Sequence, residues 1–176
     1  MSAQHNAVES LAALLREVGA APRISRAPVV RSTLYDLDYH VAIVASVFAL
    51  NGQERTDGTR SMVPHWLKLL QFVAVRPTLL PRFQAWATTR RQSRVGRLHE
   101  MPRGFLGDVT HDRTVEFLVA SSVLYRGPDA LFGGERFDVL ELVWREILER
   151  NLLAREREVL RAMAAIPVNK TLLGGR

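Results

Sequence analysis

At 176 residues, with 47% hydrophobic and 24% charged residues, the chain has the size and balance of one ordinary globular domain, which excludes a fibrous or wholly disordered polymer. It has no cysteine, which excludes disulfides and thiolate metal sites. The net charge of +6 is local, because residues 1–107 carry fourteen Lys/Arg against seven Asp/Glu, and residues 108–176 carry ten against eleven.

Residues 7–18 set Val8, Leu11, Leu15 and Val18 at 3-4-3 spacing, which predicts a short amphipathic helix ended by Gly19 and Pro22. No basic segment followed by an apolar run marks a secretory leader here, so a cytoplasmic location is expected. Residues 23–33 hold Pro28 and lack a helical period, and they read as an extended connector. Leu37, Val41, Val44 and Phe48 then form one apolar stripe, with Ile43, Val47 and Leu50 on another side. A helix apolar nearly all round belongs in the core, and Asn51-Gly52 is a favourable end for it. Its apolar run, residues 41–50, is about half the length a bilayer requires, so no membrane role is expected.

The polar stretch 53–61, QERTDGTRS, reads as an exposed loop. Pro64 suits the first turn of the next helix, in which Trp66, Leu69, Leu70, Phe72, Val73 and Val75 face inward until Arg76-Pro77 ends it. Thr78 caps a further short helix through Trp86. Residues 90–108 break the pattern, with three glycines, one proline and five arginines, and form a basic loop.

Thr110 or Asp112 is placed to cap a helix carrying Val115, Phe117, Leu118, Val119, Val123 and Leu124. Gly127-Pro128-Asp129 and Gly133-Gly134 bracket Ala130-Leu131-Phe132, predicting one strand of a hairpin whose other strand begins at Tyr125-Arg126. A plain helix–loop–helix is the alternative. From Phe137 the apolar positions Leu140, Val143, Trp144, Ile147, Leu148, Leu152, Val159, Leu160, Met163 and Ile166 make the longest helical pattern, weakest at Asn151. Uninterrupted, that helix would extend roughly 45 Å and offer its distal half to a partner. The elements predict a mainly α fold: a winged-helix-like core with a small β-hairpin and a long C-terminal helix. The expected divisions are 1–34, an N-terminal helix and connector; 35–137, the core with basic loop 90–108; and 138–176, the C-terminal helix and tail.

Asp36-Leu37-Asp38-Tyr39-His40 is the tightest acid–imidazole cluster, with Asp36 and His40 one helical turn apart. A metal would need ligands from elsewhere, and acids at a helix start are accounted for by its dipole. His5, His65, His99 and His111 stand alone as surface or capping residues, and Ser121-Ser122 lacks a nucleophile elbow. No phosphate-cradling Gly-rich motif occurs, so no cofactor is expected and the chain reads as a binder rather than an enzyme.

The functional candidates are Arg90, Arg91, Arg94, Arg97 and Arg103, which suit a phosphate backbone or an acidic partner surface. Of the 24 cations 22 are arginine, a bias that codon usage in a GC-rich genome also produces. Trp144, with Ile147 and Leu148 beside it, is the candidate anchor for a protein partner.

Three stretches carry a family resemblance: Tyr35-Asp-Leu-Asp-Tyr-His-Val-Ala-Ile-Val-Ala45, Trp66-Leu-Lys-Leu-Leu-Gln-Phe-Val-Ala-Val-Arg-Pro77, and Phe117-Leu-Val-Ala-Ser-Ser-Val-Leu-Tyr-Arg-Gly127 leading into the hairpin. With the basic loop, they resemble the small middle component of bacterial ABC-three-component defence systems, including the Lamassu type. The resemblance covers much of residues 35–137 through loose patterns. It implies a non-enzymatic adaptor joining an SMC- or Rad50-like ATPase to an effector, often a nuclease, in anti-phage and anti-plasmid defence. A stand-alone winged-helix DNA-binding regulator is the alternative, although residues 114–125 offer only Glu116, Ser121 and Ser122 to read bases.

Overall fold

The computed structural model describes residues 36–85 and 108–165. Helix α1 (Leu37–Asn51) starts where the Asp36 carboxylate accepts the Asp38 N–H at 3.1 Å. His40, Val41 and every residue from Ile43 to Phe48 are buried, as the all-round apolar pattern predicts. The helix ends at Gly52, and the Arg60 Nη1 donates to the last carbonyls, Phe48 O at 3.0 Å and Ala49 O at 2.6 Å. A guanidinium thus satisfies acceptors that the helix leaves open.

Residues 53–61 are not the loop that their polarity predicts. They form a hairpin of β1 (Gln53–Glu54) and β2 (Arg60–Met62), with Gln53 opposite Ser61 and Glu54 opposite Arg60. Its turn is closed by Gly58 N–H to Arg55 O at 3.1 Å, with Gly58 at φ +79°. This is a three-residue hairpin loop ending in a left-handed glycine. The Asp57 carboxylate accepts from Thr59 N and Oγ1 at 3.0 and 2.6 Å, and those bonds hold its pKa below the usual value.

Helix α2 (Pro64–Ala74) opens on proline and buries Trp66, Leu67 and all of residues 69–74, ending as expected before Pro77. A 3-10 turn (Pro77–Leu79) leads into helical residues 80–85, where Phe83 is fully buried 5.9 Å from the Trp66 ring. Helix α3 (Val109–Ala120) is capped by neither Thr110 nor Asp112, both of which lie inside it. Asp108 caps it, accepting from Thr110 N at 3.1 Å and His111 N at 3.4 Å while pairing with Arg76 at 3.3 Å.

The anticipated hairpin follows as β3 (Leu124–Arg126) and β4 (Leu131–Gly133). Together the strands make one antiparallel sheet in the order β1-β2-β4-β3. Alternation sends Met62, Leu124 and Leu131 into the core and leaves Gln53, Ser61, Phe132 and Tyr125 on the opposite face.

The C-terminal pattern is two helices rather than one long one: α4 (Asp138–Glu149) and α5 (Ala154–Ala164). Asn151, the predicted weak point, takes φ 51°, and Leu152 N donates back to Ile147 O at 2.9 Å. That is a left-handed helix stop with asparagine in place of glycine. The buried Arg157 of α5 donates to Asn151 Oδ1 and ties the break down. The distal half is therefore not offered to a partner: Val159, Leu160 and Met163 are buried, and α5 packs on α1 and α2. Tyr39 Oη donates to Glu156 Oε1 at 3.0 Å across that contact; burial first, and this bond second, push the phenol pKa well above its usual value. Residues 138–163 thus share one apolar core with residues 41–83. No helix among the described residues is long and apolar enough to cross a membrane.

Candidate functional site

The sequence pairs His40 with Asp36, yet the fold turns them apart. Asp36 caps α1, while His40 is 2% exposed and its Nδ1 lies 2.8 Å from Gln71 Nε2 of α2. The other end of the same amide, Gln71 Oε1, is 2.6 Å from Nδ1 of His111 on α3. One buried amide thus bridges two buried imidazoles, one from each flanking helix. Its polarity assigns the protons: Gln71 Nε2 donates to His40 Nδ1, and His111 Nδ1–H donates to Gln71 Oε1.

Burial pushes the His111 pKa down to about 4, with the Lys68 charge adding to the effect and Asp112 and Asp108 opposing it. The imidazole is therefore neutral at pH 7. Among the described residues, no group of three or more His, Cys, Asp or Glu is placed to hold a metal ion. The cluster knits three helices together through buried hydrogen bonds.

The candidate interaction site lies elsewhere, where α4 crosses α1. Ala45, Phe48 and Ala49 of α1 and Phe137, Leu140 and Trp144 on the α4 side line an open cavity of about 410 Å³. Arg60, Glu141, Arg145 and Leu148 complete its wall. Small side chains on one helix and large ones on the other leave a trough that native-density packing would otherwise fill. Of the three anchor residues, Trp144 is half-buried in this wall, Leu148 is 44% exposed beside it, and Ile147 is 2% exposed in the core. Leu152, 46% exposed, follows the left-handed Asn151 and so lies off the helical line of α4.

A second surface is the open sheet face. Tyr125 stacks on Phe132 at 5.2 Å, and Arg55 lies 4.8 Å over the Phe132 ring while donating to Tyr125 Oη at 3.2 Å. On α3 the outward acids are engaged, Asp112 with Lys68 at 3.0 Å and Glu116 with Arg126. Arg90, Arg91, Arg94, Arg97 and Arg103 lie outside the described residues.

Sequence reasoning missed Gln71 and Arg60. A lone glutamine inside the apolar run 66–75 was the available signal for the first, because a core-facing amide needs partners. Arg60 gave none, since its acceptors are main-chain carbonyls. No known protein family, curated protein or solved structure matches the chain.

Proposed function

We propose that this protein is a non-enzymatic accessory subunit, built on a winged-helix core, that joins an SMC- or Rad50-like ATPase to DNA or to an effector such as a nuclease in bacterial defence. The observation that carries the reading is the order α1, β1, β2, α2, the helical residues 77–85, α3, β3, β4, with β4 hydrogen-bonded between β2 and β3. That order and pairing support a winged-helix reading, in which α3 would take the place of the recognition helix and β3–β4 that of the wing. The outward face of α3 favours a protein-facing role over base reading. Asp112 and Glu116 project from it and are paired with Lys68 and Arg126, so these side chains are engaged rather than free to read base edges. Half-buried Trp144 and exposed Leu148 at the cavity edge supply a small apolar patch of the kind interfaces use.

Tagged protein purified from its native host is expected to bring down a coiled-coil ATPase in near-stoichiometric amount. A purification that yields the chain without any such ATPase removes the reading. The arginine-rich segment 90–108 has its own expected result. Replacing Arg90, Arg91, Arg94, Arg97 and Arg103 by glutamine lowers the slope of log affinity against log salt by about one for each arginine on a phosphate. Fluorescence anisotropy with a labelled duplex measures it, and an unchanged slope assigns these arginines to a protein partner rather than to DNA.

A further inference from the structure

Asn51 is the last residue of α1, and both polar atoms of its side-chain amide are buried without a hydrogen-bond partner among the described residues. No bond therefore fixes the amide's orientation. Of Asn6, Asn51, Asn151 and Asn169, the asparagines of the chain, Asn51 alone precedes a glycine. Glycine has no side chain to screen its backbone nitrogen from the carboxamide before it.

The fold restrains that nitrogen instead. Gly52 N–H donates to Phe48 O at 3.0 Å, a bond that must break before the nitrogen can give up its proton. A Cβ on Gly52 would sit 3.2 Å from both Cβ and Cδ of Arg60, so the arginine stem lies against the glycine. Beyond the stem, the Arg60 guanidinium donates to Phe48 O at 3.0 Å and Ala49 O at 2.6 Å and so closes the last turn of α1. Gln53 opposite Ser61 and Glu54 opposite Arg60 hold the chain just past the junction.

From this geometry we infer that Asn51 is a site of spontaneous deamidation, latched by Arg60 and released when the last turn of α1 frays. In the opened turn Gly52 N attacks Asn51 Cγ, and the new C–N bond closes a five-membered succinimide. The Cγ–Nδ2 bond breaks, and the amide nitrogen leaves as ammonia with the proton that Gly52 N has lost. One water then opens the ring at either carbonyl, giving aspartate or isoaspartate and releasing a proton. Either product puts a negative charge at the negative end of α1. Isoaspartate also lengthens the main chain by a carbon, which sets the Gly52–Phe48 bond against the Gln53–Ser61 register. The site does not depend on the proposed ATPase partner.

The test incubates the full chain in mildly alkaline buffer and follows loss of ammonia by mass spectrometry of tryptic peptides. Peptide 32–55 reports Asn51, whereas Asp57-Gly58, which isomerises without losing ammonia, falls in peptide 56–60. Folded wild type is expected to react about tenfold or more slowly than the chain unfolded in guanidinium, because the reaction waits for a local opening. Arg60→Ala, shown to be folded by circular dichroism, should react about tenfold faster than wild type, and Arg60→Lys, which keeps a donor for the carbonyls, should fall between them. Where Arg60→Ala does not fold, guanidinium below the unfolding transition replaces it, and the wild-type rate should climb before global unfolding begins. Equal rates in folded and unfolded wild type overturn the latch. A folded Arg60→Ala no faster than wild type overturns it as well, as does, where that variant does not fold, a wild-type rate that rises only with global unfolding. An unfolded chain that keeps its Asn51 amide overturns the site itself.

Discussion

Acidification from pH 7 to pH 4 is expected to cost the fold about 3 kcal/mol through His111 alone. The imidazole titrates near 6.5 in an unfolded chain and is pushed down to about 4 in the fold, by burial first and by the Lys68 charge second. A group whose folded pKa is depressed binds fewer protons when folded. Its contribution is therefore fully present above the unfolded value and is lost as pH falls from about 6.5 toward 4. The Asp57 contribution is lost at lower pH, below the ordinary carboxylate range, because the Thr59 bonds lower its pKa. Urea unfolding from pH 4 to 7.5 covers the His111 window and stops above that of Asp57. His111→Asn keeps an N–H near the Nδ1 position for Gln71 but has no titrating group, so its stability curve should be flat where the wild type slopes. Parallel slopes in the two proteins would show that His111 is not buried neutral.

The His40–Gln71–His111 chain also marks where sequence stops being readable. Its bonds join residues 31 and 40 positions apart, and no local spacing rule relates residues on three different helices. What was readable came from periodicity and backbone chemistry. The all-round apolar α1, Pro64 opening α2, the bracketed β3–β4 hairpin and the stop at Asn151 each rest on a preference acting within a few residues.

The β1–β2 hairpin escaped because strands of two and three residues, largely exposed, have no apolar alternation to read. Asp57-Gly58 was the available signal, being a favoured hairpin-turn pair. The long-helix expectation failed for a different reason. The apolar period continues through residues 140–163, but burying both halves against α1 requires the chain to reverse, and the left-handed Asn151 supplies the turn. Trp144 and Leu148 were found by their place in that period, whereas the small residues opposite them became visible only once α1 lay alongside.

Gly134→Ala is expected to cost about 3 kcal/mol, from overpacking and from hydrogen bonds that must lengthen. A Cβ at 134 would sit 2.3 Å from Ser122 O and 3.0 Å from Ser122 C, both main-chain atoms that no rotamer change can move. Ser122 is fixed in turn, since it ends α3 at φ 57° while Val123 N donates to Leu118 O at 2.9 Å. Relief therefore requires the crossing itself to open. Two bonds hold it, Gly134 N–H to Val123 O at 2.9 Å and Arg136 N–H to Ser122 O at 3.0 Å. Gly58 is the internal comparison, because its φ of +79° strains an alanine but nothing lies within 4 Å of the added carbon. Gly58→Ala should lose only about 1–2 kcal/mol, the left-handed conformational cost. Chemical unfolding of both variants reads the difference directly: equal losses would mean that β4 does not cross the end of α3 this closely, and the start of α4, with the trough it lines, would have to be placed differently.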